Sequence, residues 1–116
     1  MYGFPDQKIL DAINGETLTM VCCNANQIYL HFDLHVSIAI ENSFQVKTDN
    51  ELVQVQIPVD NLIIFKLLEI KVAKVSKNQE NSILELGFEN GWNVVLFDDQ
   101  HYESHTITVG KKEYFV

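Results

Sequence analysis

Shifted along itself by 54 residues, the chain meets its own pattern: Asp6 falls on Asp60, Ile9 on Ile63, Leu10 on Ile64, Ile13 on Leu67, Leu18 on Val72 and Val21 on Val75. The next turn is two residues longer in the second half, so the offset becomes 56. Ile28 then falls on Leu84, Leu30 on Leu86, Phe32 on Phe88, Asp33 on Glu89, Val36 on Trp92, Ile38 on Val94 and Ile40 on Leu96. A period-two pattern matches itself at every even shift, so alternation alone could produce the second block. It cannot make a helix-spaced segment recur ahead of the strands, and self-similarity at fixed spacing across both is the mark of a repeat. We expect a single domain over residues 1–116 holding two copies, at about 6–57 and 60–116.

Within each copy, hydrophobic spacing assigns the elements. Ile28, Leu30 and Phe32 share one face of a half-buried strand, and the same alternation runs through 36–40, 52–57, 84–88, 92–96 and 106–109, with turn chemistry such as Glu89-Asn90-Gly91 between strands. Residues 6–13 and 60–68 have helical spacing instead; each opens on an aspartate able to cap free amides, and the first closes at Asn14-Gly15. The expected fold is mainly β: two antiparallel β-meander units, each preceded by a short helical turn, packed as a sandwich or as one barrel-like sheet. Val95 and Phe97 fall on the face opposite Trp92, Val94 and Leu96, and the expected cover for that second face is a helical turn.

The length and the 47% hydrophobic content allow a core without disulfides. Cys22 and Cys23 are adjacent, too close for a normal bridge, and are expected to be reduced residues in or near the core. No stretch approaches a membrane span and residues 1–6 lack the basic and apolar regions of a signal peptide, so the expected location is the cytoplasm. Sixteen acidic residues stand against eight lysines and no arginine, giving a net charge of -8. Such a surface repels nucleic acid and lacks the guanidinium forks that phosphate recognition favours, whereas a basic protein complements it.

The two copies differ most after the third strand. The first crosses to its next strand with Glu41-Asn42-Ser43, and the second with residues 97–105, which include Asp98, Asp99, His101, Tyr102, Glu103 and His105. A connection needs only a few residues, and an extension rich in charged and aromatic groups is where a repeated scaffold would carry a binding surface. We take Asp98, Asp99, His101, Tyr102 and Glu103 as the candidate contact residues, with Glu89 and Asp33 in the hairpin turns as secondary candidates. The alternative is a solvated connection with Tyr102 packed back on the core.

Catalytic and metal chemistry find little support. His31 and His35 share the i, i+4 spacing of a zinc pair, but on a strand that separation spans roughly 13 Å. His101 and His105 could share a helical turn with Glu103 between them, and zinc is still not the expected reading there. No phosphate-binding glycine loop, nucleophile elbow or Ser-His-Asp set is present, and the aspartates of an open loop stay solvated. No enzyme activity, cofactor or metal is expected.

The run Ile83-Leu84-Glu85-Leu86-Gly87-Phe88-Glu89-Asn90-Gly91-Trp92, followed by His101-Tyr102-Glu103-Ser104-His105, resembles a family of small bacterial all-β domains in which a strand, a glycine hairpin and a strand lead into a Tyr-Glu-Ser/Ala-aromatic segment. Leu30-His31-Phe32-Asp33 extends the resemblance to the first half. This chain has His105 where that family more usually has tryptophan, and its first hairpin lacks the glycine. The family includes immunity-like proteins encoded beside polymorphic or contact-dependent toxins. The resemblance implies a cytoplasmic inhibitor that binds a cognate toxin domain, commonly a basic nuclease, and blocks its active site. A small-ligand or metal-binding module and a structural β-domain are the competing expectations.

Overall fold

Alternation fixes which side of each central strand faces inward, and in the computed structural model, which describes residues 3–33, 35–99 and 103–116, that rule builds ten strands. They are β1 (Leu18–Cys23), β2 (Ile28–Phe32), β3 (Val36–Ile40), β4 (Phe44–Lys47), β5 (Leu52–Val55), β6 (Val72–Lys77), β7 (Ile83–Phe88), β8 (Asn93–Phe97), β9 (His105–Val109) and β10 (Lys112–Phe115). Every pairing is antiparallel, in two five-stranded sheets of order β1-β2-β3-β9-β10 and β5-β4-β8-β7-β6. The two sheets are separate, so the layers form a sandwich rather than a barrel. Leu30, Ile38 and Ile107 of the first sheet and Leu86, Val94 and Val46 of the second are all fully buried in one continuous core.

The strand order shows an exchange that periodicity does not reveal. Hairpin β4-β5 leaves its own three strands and pairs with β8, while β9-β10 pairs with β3. Each sheet is therefore completed by a hairpin from the other half of the chain. Both β1 and β6 carry a register shift after their first residue, between Leu18 and Met20 and between Val72 and Lys74. The segments leading into these strands cross and bond to each other. Gly15 N–H donates to Val72 O (2.8 Å) and Glu69 N–H to Leu18 O (2.7 Å), while Leu18 N–H reaches Ile70 O (3.1 Å) and Val72 N–H reaches Glu16 O (2.9 Å). Each bend into the crossing is left-handed, at Gly15 (φ 85°) and at Glu69 (φ 68°).

Both predicted helical turns form. The first is helix α1 (Gln7–Leu10) continued by a 3-10 turn, Asp11–Ile13, and it buries Leu10 and Ile13. It lies along the outer edge of β6, where Gln7 Nε2 donates to the Val75 carbonyl at 3.0 Å and so satisfies an edge group that would otherwise be open to another strand. The second is a 3-10 helix, Leu62–Leu67, burying Ile64 and Leu67. Its cap is Asn61, whose side chain accepts from Ile63 N–H at 2.9 Å; the expected cap, Asp60, accepts from Gln56 N–H instead. Replacing Asn61 with alanine should cost about 1 kcal/mol of stability, measured by urea denaturation, because one amide at the start of the helix loses its acceptor.

Three expectations can be set against the structure. Strands β4 and β10 are additional to those read from alternation. Val95 is only 3% exposed and stands between Gln45 and Glu85 across the sheet. Cys22 and Cys23 are both exposed, since β1 is an edge strand and its outer half meets solvent. No helix among the described residues is long and apolar enough to cross a membrane.

Candidate functional site

The residues singled out by the sequence divide between the two ends of the sandwich. Asp33 and Glu89 lie in the β2-β3 and β7-β8 turns, and their amides donate to Thr17 O (3.2 Å) and Lys71 O (2.9 Å), beside the bridge joining Thr17 to Lys71. The Asp33 carboxylate also accepts from Thr17 N–H at 3.3 Å, which gives this half-buried side chain a structural role. Asp98, Asp99 and Glu103 sit at the opposite end, beyond the far ends of β3 and β8, about 16 Å away for a five-residue strand. Acidic turn residues and acidic extension therefore stand at opposite ends of the sandwich. His101 and Tyr102 lie outside the described residues.

At the extension's end the two unequal connections are tied together. Asn42 Nδ2 donates to Phe97 O (3.0 Å), Asp98 N–H to Ser82 O (2.8 Å) and Glu41 N–H to Ser104 O (2.8 Å). Among the described residues, three buried polar atoms lack a hydrogen-bond partner, and all belong to these connections or their first strand residue: Asn42 Oδ1, Asp98 Oδ1 and His105 Nε2. An unsatisfied buried group costs about 1–3 kcal/mol, so their concentration marks a region not optimised for stability alone. His105 is 1% exposed, its Nδ1 lies 3.1 Å from Ser104 Oγ, and its ring centroid is 5.3 Å from that of Phe4. Burial lowers its pKa to about 4, so the imidazole is neutral at pH 7. His105 is therefore a buried residue of the connection rather than part of its exposed surface. Among the described residues no group of three or more His, Cys, Asp or Glu side chains is placed to hold a metal ion.

A second feature emerges only when strands are paired. On the outer face of the first sheet, β2, β3, β9 and β10 align Tyr29, Ala39, Thr106 and Phe115 in one row and His31, Ser37, Thr108 and Glu113 in the next. Small side chains occupy the two middle strands and large ones the two flanking strands, leaving a trough of about 340 Å³, at the lower end of the range for ligand sites. One wall is ordered: Tyr29 and His31 stack with centroids 6.0 Å apart and planes 21° from parallel, and Gln27 Nε2 donates to the Tyr29 hydroxyl. The other wall carries Phe115, 47% exposed, and the Glu113 carboxylate.

The matching face of the second sheet is paved differently. Its rows are Glu85, Val95, Gln45 and Gln54, then Gly87, Asn93, Lys47 and Leu52. Lys47 and Glu85 approach to 3.7 Å, and a Cβ on Gly87 would meet Asn93 Oδ1 at 2.9 Å. A larger open groove of about 610 Å³ runs between β5 and the 3-10 helix, flanked by Leu52 (55% exposed) and Leu62 (68% exposed), with Glu51 and Lys66 among its lining. Its opposite charges offer no preference for a charged ligand.

Sequence reasoning missed the trough because Tyr29, His31, Ser37, Thr106 and Thr108 are individually what any solvent-facing strand position contains. The available signal was the contrast, within one sheet face, between small residues on two strands and aromatic residues on their neighbours. Comparison with protein-family models, with curated proteins and with solved structures found no match.

Proposed function

We propose that this chain is a non-enzymatic binding protein of the immunity type, which neutralises a cognate bacterial toxin, a basic nuclease domain, by direct contact in the cytoplasm. The observation that carries this reading is the placement of negative charge. In a chain of net charge -8 without arginine, Glu41, Asp98, Asp99 and Glu103 converge on one end of the sandwich, in connections that the scaffold makes unequal in length. Carboxylates gathered there imitate a polyanion, speed encounter with a positively charged cleft and disfavour neutral or acidic partners. The sequence resemblance described above points to the same class of partner.

The test is to identify the reading frame immediately upstream and, where it encodes a secreted protein with a toxic C-terminal domain, to co-express that domain with this chain. Wild-type chain should restore growth, and the purified pair should associate more slowly as salt rises. The triple variant Asp98→Asn, Asp99→Asn, Glu103→Gln should lose protection and associate roughly ten-fold or more slowly at low salt. Full protection by the triple variant would remove this end from the interface, and no protection by the wild type would reject the immunity reading.

A further inference from the structure

We propose that the trough on the outer face of the first sheet is a receptor site for an arginine side chain of a basic partner protein. The inference rests on the proposed basic partner and adds the place and chemistry of a second, specific contact. Two observations carry it: the shape of the trough and its chemistry.

The floor is two strands wide and paved with Ser37, Ala39, Thr106 and Thr108, so the depth needed to admit a side chain comes from the sequence itself. Adjacent strands lie about 4.8 Å apart, which puts the flanking strands β2 and β10 about 14 Å apart. This width suits one or two inserted side chains, as does the 340 Å³ volume.

The chemistry selects a cation. Tyr29 and His31 offer stacked π faces, and Phe115 offers a third ring, half exposed. Ring faces carry negative potential and attract cations, most effectively when water is partly excluded. Glu113 is the charged residue among those lining the trough, and no lysine lines it. Beyond Ala39, two residues further along the same face of β3, stands exposed Glu41, whose amide is bonded to Ser104 O. The trough thus opens toward the acidic end, and a basic protein seated there lies beside it.

A guanidinium fits this site better than an ammonium. It is planar, stacks on ring faces, and pairs with a carboxylate through a fork of donors. A second copy of the chain cannot provide the group, because the sequence contains no arginine. The occupant is therefore a different protein.

The test is an NMR titration of the full isotope-labelled chain with acetyl-Gly-Arg-Gly-Arg-Gly-amide, alongside peptides carrying lysine or glutamine at both arginine positions. The arginine peptide should shift the amides of Tyr29, His31, Thr106, Thr108 and Phe115, with the lysine peptide weaker and the glutamine peptide without effect. Phe115→Ala should weaken binding about two- to five-fold, the size of an exposed cation–π contact. Glu113→Gln should weaken it further, and the spectrum of each variant reports directly whether it is folded. Shifts confined to residues near Asp98 and Glu103, equal shifts with the glutamine peptide, or no shifts would each overturn the proposal. The outcome separates from that of co-expression: peptide binding in the trough without protection leaves the arginine site standing and removes the toxin, and protection without trough shifts does the reverse.

Discussion

Replacing Phe44 with alanine should destabilise the protein by about 3–5 kcal/mol, a large share of the 5–15 kcal/mol that holds a domain of this kind together. Phe44 is fully buried and is the largest such side chain among the described residues. It sits on the first residue of β4, paired with Val55, which is also fully buried. The backbone there is fixed between β5 and β8, so the sheet cannot close over the missing ring, and the cavity adds to the lost transfer energy. Urea denaturation is the measurement. The midpoint should fall with little change in slope, and a loss below 1 kcal/mol would mean that the two sheets do not pack around this ring. Leu52→Ala, at a position 55% exposed on the same hairpin, should change stability by less than about 0.5 kcal/mol.

The second large effect concerns the residue that holds Phe44's place in the other exchanged hairpin. His105 opens β9 as Phe44 opens β4, and it exchanges hydrogen bonds with Val116 (2.9 and 2.8 Å), as the register pairs Phe44 with Val55. Burial puts the His105 pKa at about 4, against 6.5 for the free side chain. Between those two values the unfolded chain binds the proton and the folded chain does not. Stability contributed by the neutral ring is therefore complete above pH 6.5 and is lost as the pH falls through this window toward 4. The full difference corresponds to about 3 kcal/mol. His105→Phe should remove this component, so that its stability relative to wild type rises steadily between pH 6.5 and pH 4, whatever the carboxylates contribute to both proteins. A parallel pair of stability curves would show that His105 protonates in the fold without penalty.

These two positions also show how much a sequence of this kind reveals. The inward faces of β2, β3, β7 and β8 were legible because every second residue on them is apolar and buried. Phe44 and Val46 carry the same pattern over only two inward positions, next to a connection of Glu41, Asn42 and Ser43 that reads as a loop. The exchange of hairpins was not legible at all, since pairing of β4 with β8 depends on contacts more than 45 residues apart that leave no local trace. The extension after β8 was identified from its composition, and its end of the sandwich does collect Asp98, Asp99 and Glu103. Asp33, named for its charge, also accepts from a neighbouring amide, as an aspartate in a hairpin turn can. The burial of His105 was not legible, because histidine is read as polar although neutral imidazole packs against Phe4 as an aromatic ring. The trough required knowing which residues stand abreast across four strands, and that information belongs to register.

The exchanged hairpins set an order on how the chain can be completed during synthesis. The segment through β5 emerges first, with β4 paired to β5 on one side but lacking its other neighbour until β8 has been made, and β3 lacking its second neighbour until β9 follows. A growing chain thus carries a hairpin and a sheet edge that cannot be satisfied from within the first half. Both remain open to other chains, or to a chaperone, until the last quarter of the polypeptide arrives. The same exchange that closes both sheets in the finished molecule makes its first half a poor candidate for folding ahead of its second.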